Sequence, residues 1–93
     1  MHKPGYIYIL TNASKTMLYV GVTSNLPQRI WQHKQKLYHN SFTAKYNIYA
    51  LVYYECYTSI EDAIKREKEI KGWRRSKKNA LIHAKNPGWE TLQ

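Results

Sequence analysis

Acidic residues are missing from the first half of this 93-residue chain. Residues 1–54 contain lysine and arginine but no aspartate or glutamate, and the whole chain has a formal charge of +9 at pH 7. A small domain with this much positive charge usually binds a polyanion, and nucleic acid is the first candidate. The alternative interpretation is a soluble protein whose basic surface is simply solvated.

Cysteine and long apolar runs are also scarce. The single cysteine, Cys56, excludes an internal disulfide and suits a reducing compartment, so a cytoplasmic location is expected. No apolar run approaches membrane-spanning length, and no secretory signal is visible, so no membrane association is expected. The length allows one domain over residues 1–93, with a core at about 5–84 and a tail at 85–93.

Two alternating segments predict a β-hairpin. Apolar residues occur at every second position in residues 5–10 and again in residues 18–23, with a polar, turn-prone segment between them. In such a hairpin, Tyr8 and Tyr19 can project from the same face of the sheet. The two rings could serve only as a stabilising cross-strand pair.

The second segment leads directly into a helix. Asn25 is a favourable N-cap and Pro27 suits a first helical turn, so a helix is predicted over residues 26–36. Arg29 and His33 are four residues apart and share one face of this helix. A tyrosine on a strand beside an arginine and a histidine on a helix is a group suited to handling a phosphate.

Further elements follow in the second half. We predict a basic, aromatic loop over residues 38–48 that could stack on bases and a strand over 49–57. Thr58 and Ser59 are then expected to cap a second helix that ends at Lys71. A last helix is predicted over 77–84, capped by Ser76, and its expected buried residues are Ala80, Leu81 and Ala84. Trp89 and Leu92 are expected to pack the tail back onto the domain.

Glu67 lies in the middle of the apolar stripe of the second predicted helix, among Ile60, Ala63, Ile64 and Ile70. A carboxylate on a buried face is costly unless it is paired, protonated or bound to a metal. Metal ligation and a structural ion pair, for example with Arg29, are both open interpretations. A third is that Glu67 lies at the edge of the stripe and extends to solvent.

Several short motifs occur in a fixed order along the chain. These are Tyr6-Ile7-Tyr8, Tyr19-Val20-Gly21, the Arg29 and His33 pair, and the segment 63–67 that ends in Glu67. In this order and spacing they resemble the GIY-YIG endonuclease family, and the segment 66–89 resembles its small, stand-alone bacterial branch. Tyr6 replaces the glycine of the first family motif, and the later asparagine of the family has no clear counterpart.

The resemblance implies an α/β (α+β) fold, with a three-stranded antiparallel sheet flanked by about three helices. It also implies hydrolysis of DNA phosphodiester bonds with one divalent metal, Mg²⁺ or Mn²⁺, and no small-molecule cofactor. DNA repair or recombination is the expected setting.

Each site residue has an expected role in this chemistry. Glu67 would hold the metal, Arg29 would clamp the phosphate, and His33 would assist or accept a proton. Tyr8, helped by Tyr19, would orient or deprotonate the attacking water. For this the pKa of Tyr8 must be lowered by nearby positive charge, which the acid-free first half is expected to supply. DNA would also be bound by Lys34, Lys36, Lys45, Arg74 and Arg75.

Two other classes of function remain open. The first is a nucleic-acid-binding module without catalysis that uses the same surface. The second is a structural or interaction protein, for which the segment around Trp89 would be a docking surface. Cleavage of DNA in the presence of a divalent metal would distinguish the first interpretation from both alternatives.

Overall fold

The computed structural model describes residues 3–36 and 41–92. Three strands and four helices lie within these residues. The strands are β1 (Gly5–Thr11), β2 (Leu18–Thr23) and β3 (Ala50–Tyr57), and the helices are α1 (Leu26–Gln35), α2 (Phe42–Lys45), α3 (Ile60–Lys71) and α4 (Arg75–Lys85). Within the described ranges, no helix is both long and apolar enough to cross a membrane.

The strands form one antiparallel sheet in the order β2-β1-β3. The predicted hairpin is confirmed, with Tyr8 opposite Gly21 and Leu10 opposite Tyr19. Its turn is held by the Asn12 side chain, whose Oδ1 accepts hydrogen bonds from the backbone of Thr16 and Met17 at 2.9 and 3.0 Å. The central strand is therefore β1, which pairs on both sides.

The alternation along β1 divides the core between the two faces of the sheet. Ile7 and Ile9 pack with residues of α3 and α4, including Ala63, Ile70 and Ile82. Tyr8 and Leu10 point the other way and pack with Leu26 and Ile30 of α1. The domain thus has three layers, with α1 on one face of the sheet and α3 and α4 on the other. This agrees with the predicted fold class.

The helix starts follow the predicted capping in α1 and α3. Asn25 Oδ1 accepts a hydrogen bond from Gln28 N at 3.2 Å, and Ser59 Oγ accepts one from Asp62 N at 3.2 Å. Each side chain satisfies a backbone N–H that has no partner inside the helix. Both helices therefore begin where the sequence predicted.

The predicted loop over residues 38–48 is wrong in its second part, since residues 42–45 form α2. Ser41 caps this helix by accepting a hydrogen bond from Ala44 N at 3.3 Å. A single helical turn is too short to show a hydrophobic period, so the pattern alone did not predict it. Residues 38–40 lie outside the described residues.

The predicted last helix begins too late in the chain. α4 starts at Arg75, and Arg74 occupies the N-cap position without a side-chain hydrogen bond, so Ser76 is not the cap. Ile82 is the buried residue of this helix, whereas Leu81 is half-buried and Ala80 and Ala84 are exposed. Alanine suits an exposed helical position as well as a buried one, so the alanines of this segment did not indicate which face of the helix is buried.

The tail packs back onto the domain at Trp89, as predicted. Buried Asn86 holds it there, donating from Nδ2 to the carbonyl oxygens of Val52 and Glu90 at 3.0 and 2.8 Å. The side chain of Leu92 is exposed, but its backbone N–H donates to the Leu51 carbonyl at 2.8 Å. The segment around Trp89 is thus part of the folded domain.

Candidate active site

Tyr8 lies at the centre of the sheet, and its side chain is fully buried, with 0% of its surface exposed. Its ring crosses the neighbouring strand directly over Gly21. The approach is so close that a Cβ atom at position 21 would lie only 2.3 Å from Tyr8 Cζ. Only a residue without a side chain leaves room for the ring there. Gly21 therefore directs the Tyr8 hydroxyl across β2 towards α1.

Tyr8 meets two other rings beside α1. Its hydroxyl is 3.1 Å from Nε2 of His33, which lies on the third turn of α1. The ring centroids of Tyr8, Tyr19 and His33 are 5.8 to 6.2 Å apart, in tilted arrangements. The structure thus brings together the two tyrosines of the hairpin and the histidine of the helix, as the sequence predicted.

His33 has a second partner that the sequence did not reveal. Its Nδ1 is 3.0 Å from Oγ1 of Thr43, a buried residue of α2. Ser41 Oγ lies 3.2 Å from the same threonine oxygen. The sequence did contain a signal for α2, because Ser41 precedes it as a favourable N-cap. No feature of the sequence linked Thr43 to His33.

Burial and Arg29 control the protonation of this group. Burial lowers the pKa of His33, and the positive charge of Arg29 lowers it further, so the imidazole is neutral at pH 7. Burial also raises the pKa of Tyr8, as does Tyr19, and the charge of Arg29 opposes this only in part. The expected lowering of the Tyr8 pKa is therefore wrong for the free protein, because desolvation outweighs the positive charge.

A pocket of about 230 Å³ opens above this cluster. Its walls come from α1, from the start of β2 and from the segment containing α2: Tyr19, Arg29, Gln32, His33, Ser41, Phe42 and Thr43. Within the described chain, a larger groove of about 500 Å³ runs along β3 past Tyr53, Glu55 and Tyr57. The smaller pocket contains the arginine and histidine that suit a phosphate, so size does not identify the candidate site.

Glu67 is buried on α3, with 8% of its surface exposed, as its place in the apolar stripe predicted. Its Oε2 lies 2.8 Å from Nζ of Lys71, one turn further along the same helix. The suggested ion-pair partner Arg29 is therefore not the one found in the structure. Glu67 does not line the α1 pocket, but its charge contributes to raising the pKa of Tyr8. It thus lies within electrostatic reach of the tyrosine.

The residues present fit a metal held through a single carboxylate. No three His, Cys, Asp or Glu side chains within residues 3–36 and 41–92 are grouped so that they could hold an ion together. Mg²⁺ commonly binds through one or two carboxylates and completes its coordination with water and substrate phosphate. Glu67 can supply that one carboxylate, with Lys71 as a competing cation.

The residues expected to bind DNA occupy two separate layers. Lys34, Lys36 and Lys45 are exposed on and beside α1 and α2, the two helices that contribute residues to the pocket. Arg74 and Arg75 lie at the start of α4, which packs on the opposite face of the sheet. The guanidinium of Arg75 donates to the Thr16 and Lys15 carbonyl oxygens at 2.8 and 3.1 Å, so it also fastens the hairpin turn to α4.

Fold and site together define a three-layered α+β domain with a Tyr-His-Arg cluster beside its hairpin. The model of the family described as the GIY-YIG catalytic domain matches residues 4–80, so the chain belongs to the GIY-YIG family. Its relatives include UPF0213 proteins. One from Syntrophus aciditrophicus is 37% identical over 77 residues, which cover 83% of this chain and 87% of that protein.

Two further relatives agree with this assignment. A UPF0213 protein from Desulfotalea psychrophila is 31% identical over 87 residues, covering 94% of this chain and 78% of that protein. The solution NMR structure of a UPF0213 protein from Bacillus halodurans is 28% identical and superimposes with a TM-score of 0.60, covering 97% of this chain and 94% of that one. The predicted family and fold class are thus confirmed.

Proposed function

We propose that this domain is a metal-dependent endonuclease that hydrolyses DNA phosphodiester bonds. The observation that carries the proposal is the contact between the Tyr8 hydroxyl and His33 Nε2 beneath a pocket lined by Arg29. Family membership supports a nuclease, and the charge of +9 supports a polyanionic substrate. DNA repair or recombination is the cellular setting that we propose for such cleavage.

Arg29 is the proposed phosphate clamp. Its guanidinium lines the pocket and is half-buried, so it is less screened than a surface lysine. A guanidinium can also hold two phosphate oxygens at once, which a lysine ammonium cannot do with the same geometry. Arg29 therefore combines attraction of the backbone with fixed positioning of the bond to be cut.

Tyr8 and His33 form the proposed proton path. The neutral imidazole of His33 can accept the hydroxyl proton of Tyr8 while the tyrosine oxygen takes a proton from the attacking water. The water oxygen then bonds to phosphorus as the phosphorus–oxygen bond to the leaving group breaks, and the leaving oxygen keeps the electron pair and takes a proton from solvent. At the end Tyr8 holds the proton from water, and His33 holds the former hydroxyl proton of Tyr8, which it releases to solvent. This path does not need a free tyrosinate, which the raised pKa of Tyr8 disfavours.

Access to Tyr8 is the constraint on this path. The tyrosine is buried beneath the pocket, so the water must enter beside Tyr19 and Arg29, the two pocket residues that act on the pKa of Tyr8. A divalent cation on Glu67 would supply charge neutralisation at the phosphate and the leaving oxygen. The role of Glu67 is to hold that cation, and no other role in the reaction is assigned to it.

A nicking assay on supercoiled, branched and single-stranded DNA with Mg²⁺ or Mn²⁺ tests the proposal. We expect metal-dependent cleavage by the wild type, and strong losses for Arg29→Ala and His33→Ala. His83→Ala is the matched control for His33→Ala, because this exposed histidine belongs to the other layer. Lys34→Ala, which changes an exposed charge on the same helix, should lose less activity than Arg29→Ala.

Binding without cleavage would contradict the proposal. If the wild type binds DNA but cuts none of these substrates with either metal, the domain is a nucleic-acid-binding module. If the Arg29 and Lys34 variants lose equal activity in single-turnover experiments, Arg29 contributes only to the general positive field. Cleavage at the wild-type rate by His33→Ala would remove His33 from the proton path.

A further inference from the structure

Both ring nitrogens of His33 have partners inside the protein. Nε2 is 3.1 Å from the Tyr8 hydroxyl, and Nδ1 is 3.0 Å from Oγ1 of Thr43. A neutral imidazole has one N–H and one unprotonated nitrogen, so one partner must donate to the ring and the other must accept from it. The distances alone leave the direction of the two hydrogen bonds open.

The surroundings of Tyr8 decide that direction. Its hydroxyl is buried, so its proton needs an acceptor. Arg29, which also interacts with Tyr8, is a donor only. Apart from Arg29, the hydrogen-bond partner of this hydroxyl among the described residues is His33 Nε2, which must therefore be the unprotonated nitrogen. The ring proton is then on Nδ1 and points at Thr43.

We propose that Thr43 is a positioning residue that holds His33 in the tautomer with a proton on Nδ1. Its Oγ1 accepts from Nδ1–H, which leaves the Nε2 lone pair facing Tyr8. Ser41 Oγ, 3.2 Å away, can take the threonine's own hydroxyl proton. The predicted effect on rate rests on the function proposed above, whereas the tautomer is a property of the free protein.

The backbone around Thr43 keeps its hydroxyl in place. Thr43 is 6% exposed, and its carbonyl oxygen accepts a hydrogen bond from the backbone N–H of buried Ile48 at 2.8 Å. Ser41 caps the short helix on the other side through Ala44 N. A side chain fixed from both sides can orient an imidazole without losing further conformational entropy.

Nitrogen-15 NMR of histidine-labelled protein tests the proposal, at a pH where the imidazole is neutral and with His33→Ala to assign the signals. We expect a single Nδ1–H tautomer with slow proton exchange in the wild type and in Thr43→Ser, which keeps the hydroxyl. Thr43→Val should give faster exchange and a population of the Nε2–H tautomer. Thr11→Val is the matched control, because Thr11 is a buried threonine whose Oγ1 bonds the Met17 carbonyl instead.

Cleavage rates give a second measurement. We expect Thr43→Val to lose roughly ten- to a hundredfold in single-turnover rate, and Thr43→Ser to recover most of it. Thr11→Val should lower the melting temperature with little loss per folded molecule. Thr43→Ala serves as a second hydroxyl-free variant if Thr43→Val does not fold.

The proposal is overturned if wild-type His33 carries its proton on Nε2, or if the hydroxyl-free variants keep one slowly exchanging Nδ1–H. A wild type that shows the expected tautomer but cuts no DNA would refute the proposed function and leave the assignment of Thr43 standing. The two failures are therefore distinguishable.

Discussion

Gly21 lies directly beneath the ring of Tyr8, and an added Cβ would come within 2.3 Å of Tyr8 Cζ and 2.4 Å of its hydroxyl oxygen. These residues are cross-strand partners in the hairpin. The space left by the missing side chain is filled by the buried ring of Tyr8, whose hydroxyl reaches His33. The glycine is therefore part of the geometry of the site, although it contributes no functional group.

Gly21→Ala should damage both stability and cleavage. The extra methyl group must push the Tyr8 ring out of its place, and overpacking of this kind costs about 1 to 3 kcal/mol. Urea denaturation and single-turnover cleavage would measure the two effects. Gly72→Ala is the control, because a Cβ there would meet its nearest atom at 3.5 Å. Unchanged cleavage by a folded Gly21→Ala variant would mean that the position of the Tyr8 ring is not critical.

Tyr8→Phe should abolish cleavage while DNA binding persists. The ring keeps its packing and only the hydroxyl that contacts His33 is lost, at a cost of about 1 kcal/mol in the free energy of unfolding. Nicking, DNA affinity and thermal melting would be compared with those of Tyr54→Phe, whose exposed side chain lies opposite Tyr8 on β3. A destabilised variant that still cleaves would show that Tyr8 is only structural.

Glu67→Gln should remove cleavage together with any stabilisation by Mg²⁺. A ligand that binds only the folded state raises the melting temperature, so loss of the carboxylate should abolish that rise. Without metal the cost should be small, because Lys71, left without its partner, is half exposed and can be solvated. Glu69→Gln, a change at an exposed position, should behave like the wild type. Wild-type cleavage by Glu67→Gln would place the metal elsewhere.

The stability of the domain should fall in acid through Glu55. Its carboxylate accepts hydrogen bonds from Tyr57 at 2.5 Å, from Arg66 Nε at 2.9 Å and from Tyr53. Burial raises the pKa of Glu55, but the hydrogen bonds from Arg66 and the two tyrosines outweigh burial and hold it below its usual value. The stabilisation is therefore present above the unfolded pKa of about 4.3 and is lost as the pH falls through the lower folded value.

Urea denaturation between neutral and acidic pH would measure this loss. Glu55→Gln should be less stable at neutral pH and should show a smaller fall towards acid. Glu61→Gln, which changes an exposed carboxylate of α3, should retain the wild-type pH dependence. A Glu55→Gln variant with the same dependence as the wild type would assign the acid sensitivity to another group.

Lys34→Ala should mainly weaken DNA binding, whereas Arg75→Ala should mainly reduce stability. Lys34 is an exposed charge on α1, so its loss should weaken DNA binding and reduce the slope of log affinity against log salt by about 1. Arg75 donates to two carbonyl oxygens of the hairpin turn, so its loss should mainly lower the melting temperature. DNA affinity that does not change with salt in the wild type would contradict electrostatic binding altogether.

The sequence predicted those features that depend on a regular period. Alternation along residues 5–10 identified the hairpin and placed Tyr8 opposite the aliphatic residues Ile7 and Ile9, as the two cores show. The helical period placed Glu67 among buried residues, where it is found. Caps at Asn25 and Ser59 located the starts of two helices because each is a local hydrogen bond.

Features that depend on contacts between distant segments could not be predicted in this way. Thr43 reaches His33 through a one-turn helix with no readable period, and the rotation of α4 is fixed by Ile82 in the assembled core. The pKa of Tyr8 was predicted in the wrong direction because counting charges along a chain gives no measure of desolvation. Burial of an ionisable group is a property of the whole fold.

The central position of β1 has a consequence for how the chain folds during synthesis. This strand leaves the ribosome before β2 and β3, and its pairing with β2 needs only a short turn, so the hairpin can form early. Its other edge stays unpaired until β3 has been synthesised, because the pairing of β1 with β3 joins residues far apart in the sequence, such as Gly5 and Tyr57. Until then the second edge of β1 is an open template for another strand, and a nascent chain at this stage is exposed to aggregation.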